Sequence, residues 1–570
     1  MIYTSSLFPF GSSIPSLSIP QFMTTYNPDA VPANKVVHID TFSPEPLTYS
    51  SLRKKAAQAA WGLRHKLGVG LGDTVLAIVT NSNDFVLLAH ATWWTGAVFA
   101  PLNTSSTQKD IEHVLGLVKP THIATITSKL DEVQSAAATL SITPKIFTVL
   151  SKIPNSDIPQ FPTDILDETY SLPVFDISST GKHARDVPST ICFSSGTTGK
   201  IKGVVLSHYN FVANCLQFRA SLPDRVHSGV REVTQNKEAD LEIHDADCHI
   251  YGLSTVVVTG MWIGGLYLGL PSFDLETFCA RSAEIMATDM HLVPPVALVL
   301  VTQGLAEKYD LKSLERIVVA AAPLKEKLQR ELKARFPGVG ICQGYGLTEC
   351  SPGVTHQVHD NDSSCGTVGK LIAGTEARLV SPLTLTDVPP GQEGELWIRG
   401  PQVMMGYIND PISTKNTFVD GWLRTGDILR VDERGDFWVT DRLKEMIKYK
   451  GFQIAPSELD DLILQHPLVT DAAVCAFYSE AQATEVPMAY VSLVRDKADL
   501  SQSEIQEVID EIRTWVDGQV AGYKRLRGGV FHLQDLPKTP TGKILRRLLP
   551  VPTPTVVTAG KSEEGRVGKL

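Results

Sequence analysis

Paired cysteines are missing from this chain of 570 residues. Its eight cysteines stand at 192, 215, 248, 279, 342, 350, 365 and 475, and no two form a CxxC pair. That scatter excludes a zinc ladder or a disulfide scaffold and predicts reduced thiols. A basic excess is also absent. Charged residues are 20% of the chain, and 52 Lys+Arg face 62 Asp+Glu, a net of −10. A general nucleic-acid binder wants a basic face, so that class is excluded, whereas an anionic small ligand in a local site is not. Residues 1–22 lack a basic run before their apolar residues, which argues against a secretory signal. The stretch from Ile250 to Phe273 carries no charge, but Gly252, Gly260, Gly264, Gly265, Gly269 and Pro271 interrupt it. It reads as a buried helix running into a strand and not as a membrane span.

What is present is globular. Hydrophobic residues are 43% of the chain, enough for large cores, and the length implies two or more domains. Short β-branched runs alternate with helical patterns. Residues 52–66 predict an amphipathic helix, 74–79 a buried strand and 84–98 a second helix. That order implies βαβ units and a mostly parallel sheet. No repeat of solenoid length occurs. Near residue 390 the pattern changes to short strands, at 394–400 and 435–440. Ser457 with Asp460 three residues on predicts a capping box that opens a later helix. A boundary at about 443 divides the chain into domains 1–443 and 444–570. The second holds 16 Lys+Arg and 17 Asp+Glu, so −9 of the net charge lies on the first. Within 524–547, seven basic residues meet one acid, Asp535.

Residues 194–203 read Ser194-Ser195-Gly196-Thr197-Thr198-Gly199-Lys200-Ile201-Lys202-Gly203, after the strand-like Thr190-Ile191-Cys192-Phe193. Small residues let backbone N–H groups approach phosphate oxygens, and hydroxyls and lysines add donors. The Walker spacing is absent. Further motifs follow: Gln343-Gly344-Tyr345-Gly346-Leu347-Thr348-Glu349, Trp422-Leu423-Arg424-Thr425-Gly426-Asp427, Asp441-Arg442-Leu443-Lys444-Glu445-Met446-Ile447-Lys448-Tyr449-Lys450-Gly451-Phe452-Gln453 and Pro537-Lys538-Thr539-Pro540-Thr541-Gly542-Lys543. In this order they resemble the adenylate-forming (AMP-binding, ANL) superfamily of acyl-CoA synthetases, luciferases and peptide-synthetase adenylation domains. His249-Ile250-Tyr251 and the wording around Lys444 are most similar to the 4-coumarate–CoA ligase-like branch.

The resemblance implies an α/β fold. A large N-terminal domain of αβαβα-type subdomains plus a β-barrel-like subdomain would carry the adenylation site, and a small mobile α+β C-terminal domain would carry a catalytic lysine. It implies an acyl-CoA ligase that adenylates a hydrophobic acid, aromatic or medium-chain, with ATP and Mg²⁺, and then forms a thioester with CoA, in the manner of secondary metabolism. By the same resemblance Ser194, Ser195, Gly196, Thr197, Thr198, Gly199 and Lys202 would meet the ATP phosphates. Thr348 would touch the α-phosphate, and Glu349 would hold Mg²⁺, a hard cation suited to a carboxylate. Gln343, Gly344 and Tyr345 would frame the adenine, Asp427 would accept from the ribose hydroxyls, and Arg442 would donate to ribose or phosphate. Lys543 would bridge carboxylate and α-phosphate during adenylation, where a compact cation offsets developing charge. Lys444 would be the hinge, and Lys448, Lys450 and Gly451 would serve the CoA step. His249 would stand at the thiol tunnel. Tyr251, Ala320, Ala321, Ala322, Gly344 and Leu347 would line the acyl pocket.

The chain departs from the family in places. Ile201 replaces a proline. Ala320 replaces a glycine and adds a methyl to the pocket wall, worth about 1 kcal/mol in fit. Ser272 stands where relatives place a lysine for CoA. Residues 239–248 bring four acids and a histidine to a segment that is apolar in relatives. Those groups are costly in a central strand and imply a displaced strand, an unusual site or an impaired nucleotide-binding homologue. An acyl-AMP ligase loading a separate carrier protein is a further alternative, opposed by the CoA-type hinge wording. The final Gly568-Lys569-Leu570 has the shape of a Ser-Lys-Leu-type address for a peroxisomal import receptor, with the cytoplasm as the alternative. The expected partners are a small carboxylic acid, ATP and CoA, with no nucleic acid and no membrane span.

Overall fold

A computed structural model describes residues 1–5, 14–43, 45–194, 201–221, 241–244 (backbone only), 249–270, 274–322, 324, 326–357, 365–443, 445–449, 452–479, 482, 484–494, 501–520, 522–538 and 544–550. The chain divides into two compact units, Met1–Lys444 and Glu445–Leu570.

In the first unit, βαβ order produces an eight-stranded sheet. Its strands run Gly406–Tyr407, Lys202–Ser207, Pro188–Ser194, Val98–Pro101, Thr74–Ile78, His122–Thr125, Lys145–Val149 and Gln160–Phe161. From Pro188–Ser194 onward the neighbours are parallel. The first two strands join antiparallel. Helices Tyr49–Gly62 and Asn83–Thr95 start where side chains satisfy the first N–H groups: Thr48 and Ser51 form a capping box, and Ser82 caps Phe85. The second of these was expected over 84–98. It stops earlier because Gly96 takes a left-handed φ of 82°, and Val98 already begins a strand.

Two further sheets continue the unit. One holds Leu241–His244, Leu266–Gly269, Val36–Asp40 and Leu47–Thr48. The acid-bearing segment therefore still supplies a strand, parallel to Leu266–Gly269. The other holds Asp289–Leu292, Arg316–Val319, Gly340–Gly346, Gly353–His356 and Lys370–Leu371. A last, antiparallel sheet includes Glu376–Val380, Gly394–Arg399, Trp422–Val431 and Phe437–Arg442. The strand expected at 435–440 is thus set two residues later.

The uncharged stretch after His249 behaves as its glycines imply. A helix begins at Ile250, widens to a π-helix over Gly252–Gly260, and closes with Met261–Ile263 before Gly264 turns it at φ 81°. Strand Leu266–Gly269 follows. Gly260 is required here, since a Cβ would fall 2.1 Å from the Tyr267 hydroxyl. Among the described residues no helix is long and apolar enough to cross a membrane.

The second unit packs helices Pro456–Ile463 and Gln502–Asp517 with the sheet Val469–Ser479, Thr484–Leu493 and Val530–His532. Its core, built on Ile447, Ile454, Leu459, Val474, Val491 and Ile512, draws on this unit alone. The capping box expected from Ser457 and Asp460 does not form. The helix starts at Pro456, with Ala455 as its cap and no side-chain cap bond. Asp460 is instead buried and takes the Val474 N–H at 2.6 Å and the Arg546 guanidinium at 2.5 Å.

Candidate active site

The phosphate-loop residues begin where two antiparallel strands end. Ser194 and Lys202 are register partners across those strands. Ser195, Gly196, Thr197, Thr198 and Gly199 lie outside the described residues. The Lys202 ammonium donates to Ser413 Oγ at 3.0 Å and lies 4.5 Å from the centre of the Tyr407 ring. The Tyr407 hydroxyl donates to Glu349 Oε1 at 2.9 Å, and Ser194 Oγ stands 3.5 Å from the same oxygen. Glu349 follows buried Thr348 in a short 3₁₀ turn, Thr348–Cys350. Burial is the main cause that raises its pKa. Asp427 adds to the rise, and Tyr407 and Lys202 oppose it.

A second cluster stands on Asp427, which is 8% exposed. The Tyr345 hydroxyl donates to Asp427 Oδ2 at 2.7 Å, and Arg442 Nε is 3.3 Å from Oδ1. Asp427 and Arg442 face each other across neighbouring strands, so sheet register sets their distance. Burial and the Asp427 charge keep the Tyr345 hydroxyl protonated, far above its ordinary pKa. A carboxylate held between a hydroxyl and a guanidinium is fixed in orientation and can accept from a diol.

The parallel strands Asp289–Leu292, Arg316–Val319 and Gly340–Gly346 bring the acyl-pocket candidates together. Val319 pairs with Gln343 and with Leu292, so Ala320, Ala321 and Ala322 follow directly from the strand end that lies next to Gln343-Gly344. Ala321 adopts a left-handed φ of 69°. The Gln343 side chain accepts the Leu324 N–H at 3.0 Å and donates toward Gln329 at 3.3 Å. Its backbone is engaged as well: the N–H donates to Gln357 Oε1 at 2.7 Å, and the carbonyl accepts the Gln357 N–H at 3.0 Å. The Tyr251 hydroxyl meets His291 Nδ1 at 2.5 Å. His249 precedes this helix at an exposed position. Protein crowding of its ring still lowers its pKa.

In the second unit Lys448 lies on strand Ile447–Tyr449, opposite Gln453. Lys444, Lys450, Gly451, Lys543 and Gly568-Lys569-Leu570 lie outside the described residues, as does Ser272. The chain on either side of 539–543 is held: Lys538 bridges to Ile544, and the Leu545 N–H donates to the Pro537 carbonyl at 2.8 Å.

Sequence motifs did not single out Tyr407, Ser413, His291 or Arg546. Each meets its partner through sheet order or chain folding, and no local spacing marks it. Among the described residues no group of three or more His, Cys, Asp or Glu could hold a metal ion. Mg²⁺ is usually bound through one or two carboxylates together with phosphates and waters. Glu349 fits the part: its buried charge is only partly offset by Lys202, so a cation brought by a nucleotide would stabilise its ionised form.

Comparison with known proteins accords with this geometry. The model of the AMP-binding enzyme family matches residues 27–408, and that of the AMP-binding enzyme C-terminal domain matches 458–543. The 4-coumarate–CoA ligase 1 of Petroselinum crispum is 32% identical over 564 residues, covering 94% of this chain and 95% of that protein. The peroxisomal OPC-8:0-CoA ligase 1 of Arabidopsis thaliana is 32% identical over 94% of this chain and 92% of its own. Crystalline ATP-bound MatB from Rhodopseudomonas palustris superposes with a TM-score of 0.79 at 25% identity, over 93% of this chain and 98% of its own. This chain belongs to the AMP-binding enzyme family, in the 4-coumarate–CoA ligase-like branch of the adenylate-forming superfamily.

Proposed function

We propose that the protein is an AMP-forming acid–thiol ligase that joins a hydrophobic carboxylic acid, aromatic or medium-chain, to CoA. In the first step a carboxylate oxygen attacks the α-phosphorus of ATP, and pyrophosphate leaves. In the second the CoA sulfur attacks the acyl carbonyl, its proton is lost, and AMP leaves. The observation that carries this reading is the convergence, in one unit, of Lys202 and Glu349 with the Tyr345–Asp427–Arg442 group. Lys202 and the hydroxyls beside it suit a polyphosphate, and Asp427 suits a ribose diol. Mg²⁺ at Glu349 would neutralise phosphate charge. Lys543 is the residue assigned to adenylation, Lys448, Lys450 and Gly451 to the CoA step, Lys444 to the pivot, and His249 to the thiol. Tyr251, Ala320, Ala321, Ala322 and Leu347 are assigned to the acyl pocket. The curated relatives named above are CoA ligases, and one is peroxisomal. Gly568-Lys569-Leu570 is assigned to peroxisomal import on its sequence.

The test is a panel of aromatic and medium-chain acids with ATP, Mg²⁺ and CoA. The expected result is acid-dependent pyrophosphate release with stoichiometric acyl-CoA. Pyrophosphate release without thioester would point to a carrier-loading ligase, and neither product to an impaired homologue.

A further inference from the structure

Lys202 and Glu349 carry opposite charges and reach the same side chain, Tyr407. A direct ion pair would satisfy both and leave neither for a nucleotide. Tyr407 stands against each. Its ring face receives the ammonium at 4.5 Å from the ring centre, and its hydroxyl donates to Oε1 at 2.9 Å. The backbone fixes this placement. Strand Gly406–Tyr407 pairs with Lys202–Ser207, with Val204 opposite Tyr407. The Ile408 N–H donates to the Gly203 carbonyl at 2.8 Å, and the Met404 N–H donates to the carbonyl of Glu349 itself at 2.9 Å. The segment carrying Tyr407 is thus fastened both to the strand of Lys202 and to Glu349. The Tyr407 N–H donates to Thr414 Oγ1 at 2.9 Å, and Ser413 takes one donor of Lys202.

We propose that Tyr407 is a positioning residue that separates Lys202 from Glu349 and presents each, the lysine to a phosphate and the carboxylate to a divalent cation. The inference rests on the roles given to Lys202 and Glu349 above. A cation–π contact holds an ammonium while leaving N–H donors free, and a single hydrogen bond orients a carboxylate while leaving lone pairs for a metal.

The two halves of the side chain separate by substitution. Tyr407→Phe keeps the ring and removes the hydroxyl, whereas Tyr407→Leu removes both. Binding is read with a non-hydrolysable ATP analogue, first metal-free by calorimetry, then with Mn²⁺ as the paramagnetic probe of the metal position. In Tyr407→Phe the Mn²⁺ dissociation constant in the analogue complex rises about ten-fold, the scale of one hydrogen bond to a charged group, while metal-free analogue binding is unchanged. In Tyr407→Leu metal-free binding also weakens, about five-fold, as Lys202 closes on Glu349. Glu349→Gln is the reference. If Glu349→Gln weakens Mn²⁺ and Tyr407→Phe does not, the positioning role of Tyr407 is overturned. Unchanged Mn²⁺ binding in Glu349→Gln overturns the metal assignment of Glu349 and this inference with it. Equal weakening of metal-free binding in Phe and Leu variants shows a merely structural residue and also overturns the proposal.

Discussion

A buried histidine reports on acid stability at the level of one side chain. His90 lies on the helix Asn83–Thr95, 3% exposed, with Nε2 2.9 Å from the Val257 carbonyl. That oxygen only accepts, so the neutral ring donates to it. Burial pushes the pKa down to about 4. The unfolded chain binds a proton near pH 6.5 and the folded one does not until about 4, so stability is full above pH 6.5 and falls as pH drops through that window. The loss approaches about 3 kcal/mol for this group. His208 and His356, each pushed to about 3 by burial, act in the same direction. Urea midpoints measured from pH 7 to 4 should fall steadily, and His90→Gln, which keeps a donor, should flatten the fall. Ala321 offers a second measurement. An alanine at φ 69° carries strain of about 1 kcal/mol that glycine does not. Ala321→Gly should therefore raise thermal stability slightly, by up to about 0.5 kcal/mol once the added freedom of the unfolded chain is offset. An unchanged or lower melting temperature would show that the strain is relieved by neighbours.

Among elements, the helix Pro456–Ile463 shows how local pattern and tertiary chemistry compete. Ser457 and Asp460 have capping-box spacing, but the helix starts two residues earlier, at Pro456, which moves both inside it. Asp460 is then free to serve the core. Arg546 donates to Asp460, to Glu445 and, through Nε, to the Val474 carbonyl at 2.8 Å. Arg546, one of the seven basic residues of 524–547, thus acts as a structural tie. Arg546→Ala leaves the Asp460 charge buried without its counter-ion, which costs about 3 kcal/mol. Asp460→Asn should cost less than the sum expected from independent sites when combined with Arg546→Ala, because the two share one interaction. The legible part of the site follows the same rule. Ser194, Lys202, Glu349, Asp427 and Arg442 sit in contiguous motifs and could be read one by one. Tyr407 and His291 could not, because Gly406–Tyr407 reaches Lys202–Ser207 only through sheet order, some 200 residues apart in sequence.

At the level of the whole molecule, the alternating rhythm of residues 52–98 made the parallel sheet legible, since alternating strands and helices allow few other arrangements. The strand at 241–244 was less so, because its acids argue against a place its backbone nevertheless takes. The two units were legible as a change of texture near residue 390 and a boundary at about 443, and their cores explain why. The clusters around Phe85, Trp93, Phe211 and Trp262 and around Met290 and Ile317 use residues of Met1–Lys444 only. Those around Ile454 and Val491, and around Met488 and Leu536, use residues of Glu445–Leu570 only. Cores that share no side chain lose their burial independently, so unfolding should not be two-state. Urea titration of the intact chain should show two transitions. Trp515 is the one tryptophan beyond Lys444, so in a Trp515→Phe background the remaining fluorescence reports the first unit while circular dichroism reports both; there Arg546→Ala should lower the midpoint of the second unit and leave the first in place. A single transition that Arg546→Ala moves as a whole would mean that the two units unfold as one, with coupling as strong as the cores themselves.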